Sequence, residues 1–254
     1  MNIDADAYLT NILNRKAVDT SIFSPLFNVQ ATIQPLLNKW ANRYLLDVRP
    51  SGSFSKGTAN TSGTDIDLFI SLSDQTPETL KEVYEKLFMY LKEQGYAPKR
   101  QNVSINITVN GFDVDLVPAK RQNYLTSDHS LYVRRKDTWK KTNIDKHIAH
   151  VTAAGRQREI RIIKLWRNQK GLDFASFYVE LAVIKALQFE FFAPLSRRVA
   201  TCLEYFQDSM PTAQIVDPAN TNNIISDDLT AAEKQTISNA AAASLQGPWE
   251  NLVR

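Results

Sequence analysis

Apolar residues follow two different spacings along the chain, and the spacing changes near its middle. In the first half, residues 65–70 alternate between polar and apolar side chains, which predicts a half-buried strand with Asp65 and Asp67 on its polar face. Residues 79–94 carry apolar side chains three or four positions apart, which predicts an amphipathic helix with Thr76 as its N-cap. The first half of the chain is therefore predicted to be α/β.

A β-hairpin is predicted directly after this helix. Residues 103–109 alternate between apolar and polar side chains, and Asn110-Gly111 is a strong signal for a two-residue hairpin turn. The alternation resumes after the turn. Pro118 is expected to end the second strand, because proline cannot donate a backbone hydrogen bond to a neighbouring strand.

The second half of the chain is mainly helical in its pattern. Apolar residues at helical spacing predict helices at 157–170, 176–192, 195–207 and 230–245. We therefore predict an α/β (α+β) fold with two lobes, a mixed-sheet lobe with N-terminal helices over residues 1–125 and a mainly helical lobe over residues 126–254.

The composition excludes several classes of protein. The chain has 254 residues, of which 43% are hydrophobic, so it can bury a sizeable core. It shows no run of about 18 apolar residues that would predict a transmembrane helix, and its start lacks the pattern of a signal peptide. The single cysteine, Cys202, is expected to be a small buried residue. A cytoplasmic protein with no membrane partner is expected.

The positive charge is concentrated in the middle of the chain. Residues 134–170 contain twelve lysines and arginines against three acidic residues, although the whole chain carries a net charge of only +3. A solvated helix face would explain this stretch, and so would a surface that binds a polyphosphate or a nucleic acid.

Two pairs of aspartates occupy predicted strands, where aspartate is otherwise rare. Asp65 and Asp67 share one face of the first strand, and Asp113 and Asp115 repeat the pattern on the second strand of the hairpin. Carboxylates this close repel one another unless a cation neutralises them. If the strands are neighbours, these oxygens suit Mg²⁺; the alternative is an acidic strand face that points to solvent.

A glycine-serine loop precedes the first pair of aspartates. Residues 51–58 leave backbone N–H groups accessible, and Ser53 adds a hydroxyl, so the loop can bind phosphate oxygens. Loops of this composition are common as plain turns. The spacing is informative here, because the loop ends shortly before Asp65.

Three pieces of sequence, in this order, resemble the signature of the polymerase β-like nucleotidyltransferases: Gly52-Ser53, Lys56-Gly57-Thr58 and Asp65-Ile66-Asp67. Asp115-Leu116-Val117-Pro118 resembles the family strand that carries a third metal ligand three residues before a proline, which favours Asp115 over Asp113. The resemblance implies that Asp65, Asp67 and Asp115 are catalytic metal ligands. It also implies that Gly52, Ser53 and Lys56 bind the nucleotide.

The second half resembles one branch of that superfamily. Residues 160–169 (IRIIKLWRNQ), followed by Ser176-Phe177-Tyr178, are similar to the helical lobe of the oligoadenylate synthetases, cyclic GMP-AMP synthase and the bacterial cyclic oligonucleotide synthases. The resemblance implies a cleft between the lobes, in which Lys164 and Ser176 bind the donor triphosphate. Tyr178 could stack on a base there, or it could belong to the core.

The resemblance implies a reaction. Two Mg²⁺ ions, which Mn²⁺ can replace, would activate a ribose hydroxyl to attack a nucleoside triphosphate, with ATP among the substrates and pyrophosphate released. The expected product is a cyclic di- or oligonucleotide messenger of bacterial antiviral defence. Alternatives are nucleotide addition to an RNA 3′ end, nucleotidylation of RNA or protein as in some toxins, and a catalytically inactive nucleotide-binding protein. In the first two, residues 134–170 could bind the acceptor. The oligomeric state is left open.

Overall fold

A computed structural model describes residues 4–19, 24–61 and 65–254. The helices are α1 (Ala5–Arg15), α2 (Pro25–Ala41), α3 (Gly52–Ser55), α4 (Leu80–Glu93), α5 (Ile144–Ala154), α6 (Gln157–Gln169), α7 (Ser176–Ala186), α8 (Leu195–Asp208), α9 (Ala231–Leu245) and α10 (Trp249–Leu252). The strands are β1 (Leu45–Pro50), β2 (Ile66–Leu72), β3 (Lys99–Arg100), β4 (Ile105–Val109), β5 (Phe112–Arg121), β6 (His129–Val133), β7 (Thr138–Thr142), β8 (Val216–Asp217) and β9 (Asn220–Ile224).

The chain forms two compact units, and each is built from separate segments. The sheet unit consists of Asp19–Lys56 and Gly63–Ile148, and the helical unit consists of Met1–Val18, Gly57–Ser62 and Ala149–Arg254. None of the helices in the described segments is long and apolar enough to cross a membrane.

The sheet unit contains one mixed seven-stranded sheet. Its strand order is β1-β2-β5-β4-β3, and β6 pairs with both β5 and β7. β2 and β5 run parallel, and the other pairs are antiparallel. Side chains of α2 and α4 pack with one face of the sheet into a single core. The mixed α/β class predicted from the sequence is confirmed.

The predicted hairpin is present, but its second strand is longer than expected. Asn110 and Gly111 have φ angles of 52° and 83°, as a two-residue turn of the primed type requires. β5 continues through Pro118 to Arg121. Pro118 lies between the residues that pair with β4, which end at Leu116, and those that pair with β6. Its missing N–H therefore falls where the strand changes neighbours.

The predicted N-cap of α4 was wrong by three residues. Thr79, and not Thr76, caps the helix, and its hydroxyl accepts a hydrogen bond from the Glu82 N–H at 3.2 Å. The Glu82 carboxylate in turn accepts from the Thr79 N–H at 2.8 Å, which completes a capping box. Thr76 instead donates its hydroxyl proton to the carbonyl of Ser73.

Helix α7 also ends earlier than predicted, at Ala186 instead of residue 192. Arg156 donates to the carbonyl of Leu187 at 3.0 Å and to that of Glu190, so these carbonyls are satisfied outside the helix. The segment that follows exposes three aromatic side chains, those of Phe189, Phe191 and Phe192.

The contacts divide the chain differently from the predicted boundary at residue 125. Strands β6 and β7 belong to the sheet unit, so this unit continues to Ile148. The sequence did not predict β7, because Thr-Trp-Lys-Lys-Thr is mostly polar and exposed and so lacks an alternation of apolar and polar side chains. At the other end, α1 belongs to the helical unit, where Leu9 and Ile12 are fully buried in its core.

Candidate active site

Asp67 and Asp115 lie side by side on neighbouring strands. In the parallel pairing of β2 with β5, Asp67 is the register partner of Asp115. Neighbouring strands are about 4.8 Å apart, and register partners project to the same face of a sheet. The predicted convergence of the two aspartate-bearing strands is therefore present.

Gly52 packs directly against the Asp67 carboxylate. Its φ angle is +60°, and a Cβ atom at this position would lie 1.8 Å from Asp67 Oδ2. The Ser51 N–H donates to the Asp67 carbonyl at 2.8 Å, which fixes the loop onto β2. Only glycine satisfies both the left-handed backbone and the close approach. The loop residue Ser53 is half-buried, and Lys56 is buried at the end of α3.

Three polar side chains hold Asp115. Its Oδ1 atom accepts hydrogen bonds from Gln101 Nε2 at 3.1 Å and from Asn106 Nδ2 at 2.9 Å. The hydroxyl of Ser104 lies 3.4 Å from Asp115 Oδ2. We did not identify these partners from the sequence. The available signal was Ser104 and Asn106, two polar residues two positions apart that alternate with the apolar residues of the hairpin.

The local charges raise the pKa of two of these carboxyls. Burial raises the pKa of Asp65, and the charge of Asp113 adds to this effect. Burial also raises the pKa of Asp115, against the hydrogen bond from Asn106, and the charges of Asp65 and Asp113 raise it further. Asp65, Asp113 and Asp115 therefore form a mutually repulsive cluster, which a cation would stabilise.

The aspartates have the oxygen ligands that a divalent cation prefers, but their side chains do not form a complete metal site in this structure. Within residues 4–19, 24–61 and 65–254, no three histidine, cysteine or acidic side chains are close enough together to hold a metal ion. Carboxylate oxygens are nevertheless the ligands that Mg²⁺ prefers, and Asp67 and Asp115 project from the same face.

Lys164 is buried in the helical unit, and its role as a triphosphate ligand stays a prediction. Lys164 is only 5% exposed. Its ammonium group donates to Glu180 Oε1 at 2.6 Å, to Thr58 Oγ1 at 2.9 Å and to the Thr58 carbonyl at 3.5 Å, all within the helical unit. A lysine has three donors, and these three acceptors use them.

Ser176 is the first residue of α7 and is exposed, as the predicted phosphate contact requires. Its hydroxyl accepts a hydrogen bond from Arg167 Nη1 at 3.2 Å. Burial lowers the pKa of the Arg167 guanidinium. The role of Ser176 in nucleotide binding stays a prediction.

Tyr178 is buried in the core of the helical unit, which is one of the two alternatives that the sequence left open. The side chain is 1% exposed, and its ring meets that of Phe174 edge to face with centroids 5.8 Å apart. Burial, with the nearby Tyr205, raises the pKa of Tyr178 to about 12. The helical pattern could not decide this, because an aromatic residue suits a core and a base-stacking site equally well.

Comparison with known proteins finds one relative in sequence and many in fold. No protein-family model matches the chain. The chain is 26% identical over 232 residues, which cover 76% of it and 72% of its relative, to a cyclic AMP-AMP-AMP synthase of Escherichia coli (strain MS 115-1). The CdnC protein of Escherichia coli MS115-1, solved with ATP, has a TM-score of 0.76 at 20% identity, with 99% of this chain and 97% of that chain covered. The chain is therefore similar in sequence to a cyclic oligonucleotide synthase, and it shares the fold of the CdnC protein.

The same fold also occurs in enzymes that polymerise RNA. A poly(U) polymerase, solved with MgGTP, matches the chain with a TM-score of 0.69 at 12% identity, and the match covers 97% of each chain. The fold therefore does not distinguish a cyclic messenger from an RNA tail as the product. The similarity in sequence is to a cyclic AMP-AMP-AMP synthase.

Proposed function

We propose that this nucleotidyltransferase joins ribonucleoside triphosphates into a cyclic oligonucleotide and releases pyrophosphate. The observation that carries the proposal is the pairing of Asp67 with Asp115 across two parallel strands, with Gly52 in direct contact with the Asp67 carboxylate. This arrangement places an acidic cluster beside a loop whose backbone can bind phosphate.

Asp65, Asp67 and Asp115 are the residues that would hold Mg²⁺, or Mn²⁺ in its place. Two such ions supply activation of a ribose hydroxyl and charge neutralisation of the departing pyrophosphate. Asp115 has the more rigid position, because hydrogen bonds from Gln101 and Asn106 fix one of its oxygens. A fixed carboxylate loses little freedom when a ligand binds, which favours catalysis by pre-organisation.

The loop at residues 51–56 would orient the donor triphosphate. The Gly52 N–H and the Ser53 hydroxyl provide donors for phosphate oxygens. Because Gly52 touches Asp67, this loop would set the triphosphate and the carboxylate relative to each other. Near-attack positioning of the two reactants supplies a large part of the rate enhancement in phosphoryl transfer.

The cyclic product rests on the relationship to the cyclic AMP-AMP-AMP synthase. ATP is the substrate we expect first, since the CdnC neighbour was solved with ATP. The biological setting that we propose is antiviral defence in bacteria, which is the setting implied by the family resemblance.

The test is to incubate the purified protein with all four ribonucleoside triphosphates and Mg²⁺, treat the mixture with phosphatase and analyse it by mass spectrometry. A phosphatase-resistant cyclic product is expected. Nucleotide binding without pyrophosphate release would contradict the proposal and would favour a catalytically inactive nucleotide-binding protein.

The control for this assay is the variant Asp65→Ala/Asp67→Ala. It should lose turnover to background while retaining the wild-type melting temperature within a few degrees, because Asp65 is exposed and Asp67 is only half-buried. Substantial residual turnover would contradict the metal-ligand assignment.

A second candidate function is nucleotide addition to an RNA 3′ end, which the likeness to the poly(U) polymerase fold favours. Arg134, Arg135 and Lys136 are exposed on the turn between β6 and β7 and could contact RNA phosphates. Labelled RNA added to the same assay would be extended if this function is correct. Binding to RNA should then weaken steeply as the salt concentration rises.

A further inference from the structure

An open cavity lies in the sheet unit, on the face of the sheet that carries α2 and α4. Its volume is about 560 Å³, within the range of small-molecule binding sites. The end of α2, the turn Asn42–Tyr44, the end of β2 and one side of α4 line it. Leu72 of this lining and Asp67 are an odd number of positions apart on β2, so their side chains point to opposite faces of the sheet. The cavity is therefore separate from the candidate active site.

Most of the cavity wall is apolar or aromatic. Leu72 and Val83 are buried residues of the core, and Trp40, Tyr44 and Tyr90 are the aromatic residues of the lining. The face of an aromatic ring carries partial negative charge, so rings of this kind attract a cation. The wall therefore suits a ligand that combines an apolar body with a positive charge.

One of the three rings already binds a cation. The Arg43 guanidinium lies over the Tyr44 ring, 5.0 Å from its centroid, and donates to the Tyr44 hydroxyl at 2.9 Å. The rings of Trp40 and Tyr90 have no such cation over them among the described residues. The Tyr90 hydroxyl is buried and has no hydrogen-bond partner in the described part of the chain, so it can accept an N–H group of a ligand.

Three carboxylates line the same cavity, and two of them are neutralised. Glu78 pairs with Lys86 at 2.8 Å, and Glu85 pairs with Arg100 at 2.5 Å. Glu93 forms no ion pair with any residue in the described segments. The lining therefore keeps one uncompensated negative charge, which repels a phosphate and attracts a single positive charge.

We propose that this cavity binds an organic ammonium ion, a small molecule with one positive charge on an apolar body. The cationic group would contact the rings of Trp40 and Tyr90 and be attracted by Glu93, and the apolar body would cover Leu72 and Val83. A cavity of this volume is larger than one side chain of a partner protein needs, which favours a whole small molecule. The inference does not depend on the proposed function.

The test is isothermal titration calorimetry of the full chain with protonated N,N-dimethylbenzylamine. Saturable binding at one site is expected with a Kd of about 0.1–1 mM, the scale for a ligand of about ten non-hydrogen atoms. Benzyl alcohol has the same phenyl ring without the charge and should bind about 5–30-fold more weakly, the scale of a cation–π contact. Benzoate should not bind. Equal affinities for the amine and the alcohol would overturn the assignment to a cation.

The charge of Glu93 is tested by Glu93→Gln, which keeps the size of the side chain. The Kd for the amine should rise about 2–5-fold, the scale of an exposed ion pair. The matched control is Glu82→Gln, the same charge change on the same helix outside the lining. Glutamine can replace Glu82 in the capping box with Thr79, so this variant should fold and keep the wild-type Kd. Equal weakening in both variants would contradict a specific role for Glu93.

The place of binding is tested at the two rings. Tyr90→Leu should raise the Kd about 5–30-fold, and Tyr90→Phe, which keeps the ring, should bind more tightly than Tyr90→Leu. The indole N–H signal of Trp40 in the NMR spectrum of the wild type should shift as the amine is added. Saturable binding that leaves this signal unchanged would overturn the site. Tighter binding of N-acetylarginine amide than of the amine would assign the cavity to an arginine of a partner protein and would also overturn the proposal.

Discussion

Two constraints act on Gly52, which has a left-handed backbone conformation and lies in contact with Asp67. Gly52→Ala should therefore reduce turnover to near background, because its Cβ would displace the Asp67 carboxylate. The backbone strain alone costs only about 1–2 kcal/mol. Steady-state turnover and circular dichroism of the variant would measure activity and folding together.

Gly155→Ala is the matched control for this prediction. Gly155 has a φ angle of +64°, close to that of Gly52, but a Cβ atom there would meet nothing within 4 Å. The control should therefore lose stability and keep its activity. Equal activity losses in both variants would show that strain, and not the displaced carboxylate, is responsible.

Comparison of single residues shows which side-chain environments could be predicted from the sequence. The local motif predicted that Gly52 and Asp67 belong to one site, because a phosphate-binding loop and the strand that follows it lie close together in the sequence. Lys164 was predicted to line a cleft, Tyr178 was left between a cleft and the core, and both are buried. Lys164 is engaged by Glu180, sixteen positions along the chain, and by Thr58, which is more than a hundred positions away. No local pattern reveals such a partner.

At the scale of elements, β6 is fastened to β2 by a buried histidine. Nδ1 of His129 donates to the Ser127 carbonyl at 2.8 Å, since a carbonyl can only accept. Nε2 therefore accepts from the Ser71 hydroxyl at 2.7 Å. The ring also meets Phe69 of β2 edge to face, with centroids 5.0 Å apart.

This histidine should make the sheet unit sensitive to acid. Burial lowers the pKa of His129, and the charges of Arg121 and Arg49 lower it further, against the effects of the Ser127 carbonyl and Asp145. Its contribution to stability is complete above about pH 6.5, the unfolded pKa, and is lost as the pH falls through the lower folded pKa. The melting temperature should therefore fall below pH 6.5.

The comparison that isolates this effect is His129→Gln against His150→Gln, measured by thermal unfolding between pH 5.5 and 7.5. The first variant should show a shallower dependence of melting temperature on pH than the wild type. The second, at an exposed position, should keep the wild-type slope. Parallel slopes for all three proteins would exclude His129 as the source.

The strands and helices were more predictable than their ends. Alternation located β2, and Asn110-Gly111 located the hairpin, because both signals are local. The cap of α4 depended on Glu82 as well as on a threonine, and the extension of β5 past Pro118 depended on the arrival of β6. A sequence pattern contains no information about which strand will be a neighbour.

On the scale of the whole molecule, α1 completes a core whose other residues lie more than 130 positions further along the chain. Leu9 is fully buried in this core, and Tyr8 donates its hydroxyl proton to the Val253 carbonyl at 2.8 Å. Ser196 at the start of α8 donates its N–H to Asp6 at 2.7 Å. The N-terminal helix is therefore an integral part of the helical unit.

Leu9→Ala should reduce the free energy of unfolding by about 2–5 kcal/mol, the usual range for a leucine deleted from a packed core. Urea unfolding would measure the change, and amide exchange should show that α6 and α7 lose protection with α1. Leu125→Ala, at an exposed leucine, is the control and should leave the unfolding curve unchanged. Loss of protection in the sheet unit alone would contradict this assignment of α1.

The interleaving of the two units has a consequence for how such genes can recombine. The chain passes between the units after residues 18, 56, 62 and 148. A single crossover between two related genes at any position would therefore assemble at least one unit from two parents. A crossover within residues 63–148 also gives the phosphate loop and the helices α6 and α7 different parents, so new specificities should arise by point substitution rather than by shuffling of lobes.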